Sequence, residues 1–126
     1  MEYDPLRKVD PEAWNAIDES ERLAAVVRYH KRKRIRMPNV NVHAAIHTAV
    51  ENQIAEGDAF PAKAALARLM NEGLDRHEAV HAIGSVVAGE IFRVIKEKMP
   101  SDQDDFKRRI EQLTAESWRK QFSDSE

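Results

Sequence analysis

The stretch His43-Ala-Ala-Ile-His47-Thr-Ala-Val-Glu51, answered further along by His77-Glu78-Ala-Val-His81, decides how this chain is read. On a helix, residues four apart project from one face with their Cβ atoms about 6 Å apart, so each histidine pair offers two rings to a common partner. At about 100° per residue, Val50 and Ile54 lie within about 20° of His43, while His47 and Glu51 lie about 40° and 80° to one side. The rings therefore share the apolar face.

Working outward, the stops and starts of both helices are legible. Pro38 breaks the chain ahead of the first, Asn39 or Asn41 can cap it, and Gly57 ends it, which places a helix over about 41–56. Asp75 and Glu78 form the Asp-x-x-Glu variant of a capping box at the start of a long helix to about Lys98. Its apolar stripe is Val80, Ile83, Val87, Ile91 and Val94, and Gly84 and Ala88 are small enough to admit a close neighbour. Between the two, Pro61 opens a short helix that carries Leu66, Leu69 and Met70 inward to Asn71 and stops at Gly73. Upstream, residues 1–10 read as an extended arm. Asp10 caps a short helix with Pro11 at its first position and Trp14 and Ile17 to bury. A further helix from Ser20 carries Leu23, Val26 and Val27 to about Arg34, with His30 at the boundary of its buried face. Downstream, Ser101 caps a last helix with Phe106, Ile110, Leu113, Trp118 and Phe122 as its stripe, and 123–126 read as a frayed tail. The expectation is an all-α, single-domain bundle of about five helices spanning 1–126. With short loops, the two histidine helices run parallel, and His77 and His81 fall level with His47 and Glu51.

Composition narrows the function classes. The 126 residues contain no cysteine, which excludes disulfides, thiolate ligands and thiol catalysis. A formal net charge of -2 gives no global attraction to nucleic acid or anionic membrane. The run Lys31-Arg32-Lys33-Arg34, with Arg36, can grip phosphates. No aromatic residues interleave with it, however, and cations at a helix C-terminus also complement the macrodipole, so nucleic-acid binding through 31–36 is the third reading. No apolar run reaches membrane-spanning length, and the opening Met-Glu-Tyr-Asp-Pro lacks the pattern of a signal peptide. A cytoplasmic protein is expected, with no membrane partner and with self-association left open.

The segments NVHAAIHTAVENQIAEGD (41–58) and ALARLMNEGLDRHEAVHAIGSVVAGEIF (65–92), after a YDPLRK opening, resemble a family of small bacterial proteins classed as a domain of unknown function. The resemblance covers the chain to about residue 95 and implies a cytoplasmic, all-helical bacterial protein. It carries no activity, substrate or ligand set.

Chemistry must therefore come from the residues. His43, His47, Glu51, His77 and His81 form a candidate site for a divalent metal, since imidazole with carboxylate suits zinc, iron, nickel or manganese. The string His77-Glu78-x-x-His81 also matches the zinc-protease pattern, with Glu78 as general base beside the metal. Glu78 is already engaged as a cap, and so small a bundle leaves little room for a peptide cleft. No phosphate loop or nucleophilic triad is present, and no nucleotide or organic cofactor is indicated. The rival to the metal reading is an inert interaction or assembly module whose histidines bond to Glu51, Asn52, Gln53 or backbone carbonyls and only shape the core.

Overall fold

Asp10 and Pro11 do what their chemistry allows: the Asp10 side chain accepts from the Ala13 amide, and helix α1 (Pro11–Ala16) follows. A computed structural model describes residues 1–33 and 39–122, and all regular structure in them is helical. After α1 come α2 (Glu19–Arg32), α3 (Val40–Ala55), a 3-10 turn at Gly57–Ala59, α4 (Ala62–Asn71), α5 (Arg76–Lys96), α6 (Gln103–Gln112) and α7 (Ala115–Phe122). The all-α expectation holds, but these residues form seven α-helices where about five were expected. The last expected helix is in fact two. Thr114 interrupts it, its hydroxyl accepting from the Ser117 amide at 3.0 Å to cap α7. Asp102, not Ser101, caps α6 by accepting from the amides of Asp104 and Asp105.

Helix α3 is held from several sides. It packs against α1, α2, α4 and α5, while α5 packs against α3, α4 and α6. Two apolar clusters result. One joins Val50, Leu69, Val80, Ile83, Phe106 and Ile110, and the other joins Tyr3, Trp14, Val26, Tyr29 and Ala44. The arm belongs to the second cluster, since Tyr3 and Pro5 are buried and the Pro5 carbonyl accepts from Arg76 at 3.0 Å. At the other end of α3, Gly57 takes the left-handed conformation expected of a helix stop (φ 70°).

Two expected stripes are shorter than their pattern. On α4, Ala62, Ala65 and Leu69 are buried, whereas Met70 is exposed. On α5, Val80, Ile83 and Val87 are buried, but Ile91 and Val94 lie in its exposed last turns. Val50 of α3 and the buried residues of α4 gather with Val80, Ile83 and Val87 in one cluster that does not extend to Ile91 or Val94. The register also differs. Residues of α3 and α5 that touch are separated by 25 positions at Glu51 and Arg76 and by 38 at His43 and His81. Parallel helices lying side by side would keep that separation constant, so the two do not lie side by side in parallel as the sequence reading expected. A Cβ on Gly84 would come within 3.3 Å of Ile46 Cγ2, so the glycine admits α3 closely here.

Of the basic run, Lys31, Arg32 and Lys33 are exposed at the end of α2. Arg32 there donates to the Tyr3 carbonyl at 3.3 Å. Arg34, Arg36, the Phe122 side chain and the tail 123–126 lie outside the described residues. No described helix is long and apolar enough to cross a membrane.

Candidate metal centre

Each element delivers its histidine by a traceable local cause. The Asp75–Glu78 capping box fixes the first turn of α5, with both reciprocal hydrogen bonds formed at 2.7 and 3.1 Å, and so sets His77 and His81 on one face. Asn39 caps α3 by accepting from the Val42 amide at 3.1 Å, which starts the turn that carries His43 and His47. His30 comes from the last turn of α2, four residues after fully buried Val26.

The rings converge. His30, His47, His77 and His81 each present a nitrogen within 4.8 Å of the other three. His47 and His77 stack with centroids 5.4 Å apart, and a ring nitrogen of each lies within 4.8 Å of the other. His43 stands one hydrogen bond further out, its Nε2 lying 3.2 Å from His81 Nε2. His30 is therefore no boundary residue: it is fully buried and part of the cluster.

Proton bookkeeping fixes two of the tautomers. A carboxylate only accepts, so the Tyr3 hydroxyl donates to Glu51, and Tyr3 Oη must then accept from His47 Nε2–H at 2.8 Å. His47 Nδ1 is left as a bare lone pair, buried and without a partner. A backbone carbonyl likewise only accepts, so His30 Nδ1–H donates to the Val26 carbonyl at 2.8 Å and its Nε2 is left bare. His77 Nε2 is also buried without a partner. An unsatisfied buried polar atom costs about 1–3 kcal/mol, and three of the four clustered rings carry one. The core-histidine reading accounts for only half of each fixed ring. Asn52, one of its proposed partners, instead accepts from Trp14 Nε1 and Arg22 Nη1, both at 2.9 Å.

Glu51 does not join the group. Arg76 holds its two oxygens at 2.7 and 2.8 Å with both side chains buried, and Tyr3 takes a further position on it. Burial works against the charged guanidinium, yet hydrogen bonds to Glu51 and its charge together push the Arg76 pKa upward. Glu51 thus acts on the site at one remove, fixing Tyr3, which fixes His47. Glu78 is placed in the capping box.

All four α3 and α5 histidines favour the neutral form that a metal needs. Burial, then neighbouring histidines, lowers His43 to about 4 and His81 to about 3, and the same causes hold His47 well below the ordinary 6.5. Burial is also the main cause at His77, with the charge of His30 adding to it. Native-state values below the unfolded value mean that the unfolded chain binds more protons as pH falls. Stability of the metal-free protein is accordingly full above about pH 6.5 and lost progressively as the pH falls toward the folded values, about 4 for His43 and about 3 for His81. Urea unfolding of stripped protein across this range checks it, and a midpoint that stays flat from neutral to strongly acid pH would contradict the expectation.

Tyr3 and Arg76 lie inside the segments that carry the resemblance, but sequence reading gives neither of them a role at the site. The signal for His30 was its spacing from Val26. Compared with family models, with curated proteins and with solved structures, the chain matches none.

Proposed function

We propose that this protein binds one divalent transition-metal ion on His30, His47, His77 and His81 and that its function resides there. The observation that supports this is the convergence of four histidines, each with a ring nitrogen within 4.8 Å of the others, three of which carry a buried, unpartnered nitrogen, two of these left as lone pairs by the hydrogen bond of the other ring nitrogen. Metal-binding histidines are characteristically oriented in this way, with the other nitrogen donating to a carbonyl or to a group tied to a carboxylate. Four imidazoles without a carboxylate suit zinc, iron or nickel better than manganese, which prefers oxygen. The resemblance of the histidine blocks to small bacterial proteins fits a bacterial, cytoplasmic metalloprotein.

Thermal unfolding tests the proposal. A ligand that binds only the native state adds RT ln(1 + [L]/Kd), about 4 kcal/mol at a thousandfold excess over Kd. Zinc added to stripped protein is expected to raise Tm and EDTA to reverse it, whereas an inert module would melt at one temperature throughout. Tyr3→Phe removes the acceptor of His47 Nε2–H without touching the ion. Loss of such an outer partner typically weakens metal binding about 10- to 100-fold, measurable by competition against a chromophoric chelator. An unchanged affinity would detach Tyr3 from the site.

A further inference from the structure

A cavity of about 370 Å³ opens beside the cluster and shares His47 and His81 with it. His43 stands in its wall. The remaining lining is mainly apolar, from Val42, Ile46, Val80, Ala88 and Trp118, and includes no lysine, arginine or carboxylate. Such a volume is at the small end of the range for organic ligands.

Charge says what the cavity should take. Four neutral imidazoles leave both positive charges of a divalent ion uncompensated, and the buried carboxylate beside the cluster, Glu51, is spent on Arg76. A buried charge without a counter-charge is unfavourable, so an anion from solution is the natural complement. The cavity offers an approach past His47 and His81. Its walls favour an apolar body behind the anionic head. Resting on the metal reading above, we infer that the cavity is a binding site for a small organic monocarboxylate, with its head toward the ion and its hydrocarbon part along Val42, Ile46, Val80 and Ala88. This adds a ligand class to the site, and it gives the exposed apolar wall at Val42 a use.

Cobalt(II) separates the two layers of this reading, because its visible absorption reports both loading and a change of coordination. Stripped protein is first loaded with cobalt(II), and acetate, hexanoate and the neutral control hexanol are then titrated separately. Hexanoate is expected to alter the cobalt bands with a half-saturation at least about tenfold below that of acetate, since each buried methylene adds to binding. Hexanol should leave them unchanged. Ala88→Trp, which fills the cavity, and Val42→Trp, at an exposed position on its wall, should each load cobalt as before and lose the preference for the longer chain. Equal half-saturation for acetate and hexanoate, bands indifferent to either acid, or a preference that survives both tryptophans would overturn the carboxylate site while leaving the metal site standing. Failure to load cobalt or zinc at all would remove both.

Discussion

Arg76→Met is expected to destabilise the protein by about 3–5 kcal/mol, the usual cost of breaking a buried ion pair from one side. Glu51 and Arg76 are 1% and 4% exposed, and two hydrogen bonds of 2.7 and 2.8 Å join them. Methionine fills much of the volume but leaves the carboxylate buried beside Tyr3 with no cation. Adding Glu51→Gln to it removes that stranded charge and should recover part of the loss, because an amide can still accept from the Tyr3 hydroxyl. Urea unfolding of both variants measures the difference. A loss below about 1 kcal/mol, the scale of an exposed pair, would show that this network does not anchor the arm and α5 to α3.

His30→Ala and His43→Ala should part company. His30 presents one of the unpartnered nitrogens and is fully buried, so its removal is expected to weaken metal binding by more than about 100-fold, beyond what loss of an outer partner costs. It should abolish the effect of EDTA on Tm at the same time. His43, which reaches the cluster only through His81, should leave the ion bound and shift its affinity far less. Zinc titration followed by calorimetry compares them. Equal losses would place His43 among the ligands, and no loss in His30→Ala would exclude α2 from the site.

Local chemistry announces some of this and hides the rest. Both histidine pairs, the capping box at Asp75 and Glu78, and the stop at Gly57 are short-range patterns, and the structure contains each of them. What fails to show is set by which helix faces which. Spacing puts Glu51 beside His47, but only the packing of α3 on α5 brings Arg76 onto it and removes it from the ligand set. An arginine in the first turn of a helix ordinarily reads as a solvated cation. Tyr3 sits in an arm without periodicity, and its place depends on a contact 44 residues away. His30 was legible in part, as the fourth residue after Val26, yet nothing local distinguishes a ring that reaches a cluster from one that stops at its edge. The stripe on α5 overstates burial at Ile91 and Val94 for a similar reason: periodicity marks a face but not where its neighbours end.

The most direct test is X-ray absorption at the zinc edge on untagged protein, stripped and then loaded with a single equivalent of zinc. Stoichiometric uptake is expected, with four imidazole nitrogens at about 2.0–2.1 Å and the multiple-scattering features of histidine rings. Failure to retain one equivalent after desalting, or a shell dominated by oxygen, would contradict the four-histidine site.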